Sequence, residues 1–164
     1  MDDAHDGPYA REPQFADLVR ICRALNDAGA RYVLIGGFAV IAHGGTRTTK
    51  DIDLLIDASP LNVARVRAAL GILEDQAVRE VADDDVAHYT VVRVADEVVV
   101  DLMARACDVE YEAAIADAVT LAFDGVPVPV ASPQTLIRTK NTFRPSDEAD
   151  RRYLQALLDA GRRG

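Results

Sequence analysis

Two aspartates one residue apart open an aliphatic run in the stretch GGFAVIAHGGTRTTKDIDLLID, residues 36 to 57. A strand of this composition buries its apolar side chains, so a chain that begins one with Asp51 and Asp53 must compensate both charges. Residues i and i+2 of a strand face the same way, which sets the two carboxylates together, about 6.5–7 Å apart along the chain. Left bare, they repel each other and resist ionisation. A hard divalent cation such as Mg²⁺ removes the conflict, because it takes oxygen ligands and keeps several waters. Two such ions ~3.5–4 Å apart clamp the attacking and leaving oxygens of a phosphoryl transfer. A site of that kind needs a third acid on a neighbouring strand, and EVVVDLM offers Asp101 at the end of another aliphatic run. Singly, each acid reads as a solvated loop or cap residue; the combination reads as a metal site.

The segment upstream adds to it. Gly36-Gly37 lies between RYVLI, which reads as a short buried strand, and FAVIA, which reads as a short helix stopped by Gly44-Gly45. Glycine lets the backbone approach a ligand closely, and a helix start presents free N–H groups to an anion. Arg47 has the chemistry to pair with a phosphate. His43 reads as a satisfied helix-end residue and His88 as a strand-surface residue.

The rest of the chain supplies a scaffold. Apolar positions Phe15, Leu18, Val19, Cys22, Leu25 and Ala28 recur at helical spacing within residues 13–28, a helix closed by Gly29. Ser59 and Pro60 start another, as cap and first residue. Residues 74–86 read as a polar connection. Residues 87–104 read as two strands around a tight Ala95-Asp96 turn, DVEYEAAIADA as a helix, and residues 119–132 as a hairpin turning at Asp124-Gly125. Ser132-Pro133 starts a helix to about Phe143, and Ser146 caps the last one. The expected order is α-β-α-β-α-β-β-α-β-β-α-α: one α/β (α+β) domain over residues 1–164, a small mixed β-sheet flanked by helices, with residues 1–12 a frayed leader.

Composition narrows the function. A net charge of -9 disfavours a general nucleic-acid binder. The charge is uneven: residues 131–164 carry +3 and the remainder -12, and the segment from Arg31 to Lys50 has three basic residues and no acid. That permits a local phosphate site. No apolar run approaches the ~20 residues needed to span a bilayer. The polar, acidic start does not resemble a secretion signal, and the two cysteines, Cys22 and Cys107, are expected to be buried reduced thiols of a cytoplasmic protein.

G-G, a helix, H-G, then R-x-T-x-D-x-D closely resembles the nucleotidyltransferase motif of the DNA polymerase β superfamily. It is most similar to the branch holding AbiEii-type abortive-infection toxins and small antibiotic nucleotidyltransferases. Gly36, Gly37, His43, Gly44, Arg47, Thr49, Asp51 and Asp53 fall where that family has them, and Asp101 matches its third carboxylate. SPQTLIRTKNTFRPSDEADRRYLQAL is similar to its closing pattern, so the resemblance covers about residues 14 to 160. It implies that Asp51 and Asp53 hold two Mg²⁺ ions, and that Asp101 holds the ion that activates the acceptor hydroxyl. Gly36 and Gly37 would cradle the triphosphate of an NTP, with Arg47 or Lys140 steadying its charge. The implied reaction moves a nucleoside monophosphate onto a hydroxyl and releases pyrophosphate.

The acceptor stays open between RNA, protein and a small molecule. Many toxin members carry a further domain, whereas only 63 residues follow Asp101, which disfavours RNA. A catalytically silent nucleotide-binding or interaction module, such as an antitoxin partner with a cognate protein, is the alternative from a different class. The intact acid triad counts against it, since a module that only binds has no need of three carboxylates.

Overall fold

The computed structural model describes residues 10–163. Six strands form one mixed sheet in the order β3-β4-β2-β1-β8-β7, built from β1 (Tyr32–Ile35), β2 (Asp51–Ile56), β3 (Val92–Ala95), β4 (Val99–Met103), β7 (Val119–Phe123) and β8 (Val126–Val130). Two further strands, β5 (Arg105–Ala106) and β6 (Val109–Glu110), make a small separate hairpin. The helices are α1 (Phe15–Asp27), α2 (Gly36–Ala42), α3 (Pro60–Leu70), α4 (Asp85–His88), α5 (Tyr111–Ala116), α6 (Pro133–Thr139) and α7 (Pro145–Arg163). This is the mixed, helix-flanked α/β sheet expected from the sequence.

Central β1 is buried at all four positions, so helices cover the sheet on both faces there. It runs antiparallel to β2 and parallel to β8, and β2 runs parallel to β4. The apolar stripe of α1, with Leu18, Ile21, Cys22 and Leu25 at 1% exposure or less, packs against α3 and β8. Buried Asn62 of α3 ties the entry of β1 to the exit of β2: it accepts from the Arg31 N–H at 2.7 Å and donates to the carbonyls of Arg31 and Asp57.

Local chemistry sets several boundaries as expected. Ser59 caps α3 by accepting from the Asn62 N–H, Ser132 caps α6 by accepting from the Thr135 N–H, and a proline follows each cap. Asp124 and Gly125 both have positive φ, +49° and +80°, as a two-residue type I′ hairpin turn requires.

Other expectations are corrected. The β3–β4 turn spans three residues, Asp96 to Val98, because Ala95 pairs with Val99. Asp96 is buried at 2% exposure, and its carboxylate accepts from the N–H groups of Asp75, Ala77 and Glu97, which locks the turn onto the preceding segment. That segment is not a plain connection: it holds a 3₁₀ turn over Ala77–Glu80, followed by α4. His88 therefore ends a short helix and lies on no strand surface.

Helix α6 stops at Thr139, four residues before Phe143, and α7 starts at Pro145, so Ser146 sits in its first turn and is not its cap. Cys22 is buried, but Cys107 is exposed in the β5–β6 turn with φ +53°. The expected leader falls mostly outside the described residues. Its described end is anchored: Arg11 grips Asp17 through two 2.7 Å hydrogen bonds, and these, with the Gln14 N–H, hold the Asp17 carboxyl down at about 2. Among the described residues no helix is long and apolar enough to cross a membrane.

Candidate active site

Alternation along β2 turns Ile52 and Leu54 into the core, both fully buried, and turns Asp51 and Asp53 the other way. Parallel pairing sets Asp53 directly beside Asp101 of β4. One carboxylate oxygen from each of Asp51, Asp53 and Asp101 lies within 4.8 Å of the others. Three acids from two adjacent strands thus converge on one point.

The next strand adds a residue that the motifs do not contain. Arg93 of β3 pairs in register with Asp101. Its guanidinium donates to both Asp101 oxygens at 2.9 Å, and it reaches Asp51 at 3.2 Å. Asp53 is less well compensated. Burial, followed by the charges of Asp51 and Asp101, pushes its carboxyl up to about 8, against an opposing pull from Lys140 and Arg93.

Gly36 makes the approach of β1 to this acid possible. It has φ +73°, and a Cβ there would lie 2.0 Å from Asp53 Oδ2 and 2.8 Å from Asp53 Cβ. Gly37 does the same for Thr49: its Cβ would lie 2.6 Å from Thr49 Oγ1. Thr49 in turn donates to the Asp51 carbonyl at 3.0 Å, which shapes the entry into β2. The glycine pair is therefore needed for close packing of the acids themselves.

Arg47 and Lys140 arrive at the same cleft already paired. Arg47 bonds Asp150, and Lys140, at 6% exposure, lies 3.1 Å from Asp150 and 3.9 Å from Asp147. Burial would raise the Asp147 carboxyl, but hydrogen bonds from Thr142 and Arg144 outweigh it and hold it below its usual range. The loop after α6 is pinned as well, with Arg151 donating to the carbonyls of Lys140 and Thr142. The Lys, Arg, Asp and Asp of the closing sequence pattern thus form one ionic cluster that locks α7 beside the triad. His43 stays outside the cleft, as a helix-end residue: its Nε2 sits 2.8 Å from the Ala131 carbonyl, and Tyr153 donates to its backbone oxygen.

The cleft these residues enclose has a volume of about 520 Å³. All eight site candidates from the sequence line it: Gly36, Gly37, Arg47, Thr49, Asp51, Asp53, Asp101 and Lys140. Arg93 and Arg144 complete its basic groups and Asp147 its acids, four of each sign.

The chain matches, over residues 14–162, the family described as nucleotidyl transferase of unknown function (DUF2204). It belongs to that family. No curated protein matches the chain. In this nucleotidyl transferase the family match spans every strand of the sheet and every residue of the cleft. The donor set also suits a hard cation: three carboxylates offer oxygen only, and Asp53 lacks sufficient positive charge nearby to ionise easily.

Proposed function

We propose that the protein is a Mg²⁺-dependent nucleotidyltransferase that moves a nucleoside monophosphate from an NTP to a hydroxyl acceptor. The observation that supports this best is the meeting of Asp51, Asp53 and Asp101 within 4.8 Å at the floor of a cleft with no surplus of positive charge. An NTP carries several negative charges, and the four basic side chains there already face four acids. A polyanion enters such a cleft only together with cations.

Asp51 and Asp53 would hold the Mg²⁺ ions, with Asp101 adding a third carboxylate beside them. When bound, Mg²⁺ neutralises phosphate oxygens and makes the acceptor hydroxyl easier to deprotonate. Asp101, fixed by its neighbours at 5% exposure, orients that end of the site. Gly36 and Gly37 let Asp53 and Thr49 pack closely beside the phosphate-binding cleft, and Lys140 and Arg47 stiffen its wall through Asp150. Lys140 steadies the leaving pyrophosphate from within this cluster.

The resemblance to the toxin and antibiotic-modifying branch carries two finer readings of the acceptor, RNA or protein for the first and a small hydroxylated compound for the second. A silent nucleotide-binding partner is the competing class. Thermal stability with each of the four NTPs, with and without Mg²⁺, tests the NTP site, and pyrophosphate release under the same conditions separates the classes. Ligand binding to the native state adds about 2.7 kcal/mol at a hundredfold excess over Kd. A Mg²⁺-dependent rise in Tm that Asp53→Ala abolishes supports the NTP site, and Mg²⁺-dependent pyrophosphate release lost in the same variant supports the enzyme over a silent binder. No rise with any NTP contradicts it.

A further inference from the structure

Arg93 occupies the same carboxylate oxygens that a metal ion needs. Its fork takes both oxygens of Asp101, the most buried acid of the triad, and one oxygen of Asp51. Paired N–H donors matched to a carboxylate make the strong form of an ion pair. The guanidinium itself has no neutral form within reach in a protein, so it stays a cation beside the acids. The side chain of Arg93 keeps 32% exposure against 7% for Asp101, so the guanidinium meets solvent where the acid does not. A divalent ion bound to Asp51 and Asp101 would share their oxygens with this guanidinium, and like charges at that range repel.

We propose that Arg93 is the triad's own counter-cation, which divalent metal displaces, and that this exchange sets the protein's affinity for metal. The proposal rests on the metal reading of the triad given above. Without metal, Arg93 bridges Asp101 and Asp51; with metal, it swings out toward the mouth of the cleft.

The test uses Mn²⁺ as probe and no nucleotide, with bound ion counted by electron paramagnetic resonance at pH 8 on the full chain. Arg93→Gln removes the charge, and Arg93→Lys keeps the charge but loses the fork. Arg93→Gln should bind Mn²⁺ roughly tenfold tighter than wild type, a typical coupling between competing ligands. Arg93→Lys should fall between the two, and it carries the test if the glutamine variant does not fold. In EDTA, both variants should melt below wild type, and added Mn²⁺ should close the gap. A part that merely supports the fold would weaken Mn²⁺ binding when removed. Mn²⁺ binding to wild type with equal or weaker binding to the variants overturns the role of Arg93 and leaves the metal site standing. Failure of all three proteins to bind Mn²⁺ overturns both.

Discussion

Gly36 and Asp53 occupy each other's space: a single carbon added to the glycine would lie 2.0 Å from the carboxylate. The contact extends to Asp53 Cβ at 2.8 Å, so rotating the acid's outer atoms does not relieve it. Gly36→Ala should therefore move Asp53 out of the triad and also strain a backbone at φ +73°, at a cost of about 1–3 kcal/mol. The expected result is a folded protein with a lowered Tm and nucleotidyl transfer reduced at least as far as in Asp53→Ala. Full activity in Gly36→Ala would mean that the position of Asp53 is not critical.

The Asp53 carboxyl makes metal-free stability depend on pH. It is raised to about 8 in the folded protein and titrates near 3.8 when unfolded. Between those values the folded state holds the extra proton, so stability falls as pH rises from about 4 through 8. Urea unfolding in EDTA at a series of pH values should show that decline in wild type, and a flatter profile in Asp53→Asn. Superimposable profiles would remove the conflict of charges that motivates the metal site. Metal binding should also release protons below pH 8, since the ligands must ionise.

Lys140 is buried between Asp147 and Asp150. Removing one partner of a buried ion pair costs about 3–5 kcal/mol when the charge left behind has no other partner; here Arg47 and Arg144 still pair with Asp150 and Asp147, so that range is an upper bound. Lys140→Ala should lose about 1–3 kcal/mol in chemical denaturation, the range for burying a polar group with part of its partners gone. The double variant Lys140→Met, Asp150→Asn should recover part of it. A change below 1 kcal/mol on the single substitution would mean that Arg47 and Arg144, without Lys140, satisfy the two acids.

What could be read from the sequence is uneven for physical reasons. Strand β2, the paired glycines and the Ser-Pro helix starts each rest on chemistry local to a few residues, and they appear where the sequence places them. Arg93 was hidden by register. A two-residue turn at Ala95-Asp96 would pair Arg93 with Val98, which puts it on the opposite face from Asp101. The observed turn is longer by one residue, with Ala95 opposite Val99, so Arg93 stands directly across from Asp101. An odd shift in register moves every side chain to the other face. The signal available was Asp96, whose carboxylate caps three backbone N–H groups in the turn and the preceding segment. The β5–β6 hairpin has two residues per strand, too short for any period to show. The early end of α6 has a similar origin: Lys140 and Thr142 turn inward to serve the ionic cluster, a tertiary demand that helical spacing does not record.

The central claim is transfer of the nucleotide itself. Wild type and Asp53→Asn should be incubated with Mg²⁺ and cell extract, once with NTPs labelled at the α-phosphate and once at the γ-phosphate. With wild type, α-label should appear on an acceptor and γ-label should leave as pyrophosphate; with Asp53→Asn, neither should occur. The size of the labelled product then separates RNA or protein from a small molecule. Transfer of γ-label to the acceptor, or equal α-label transfer by both proteins, would contradict the account.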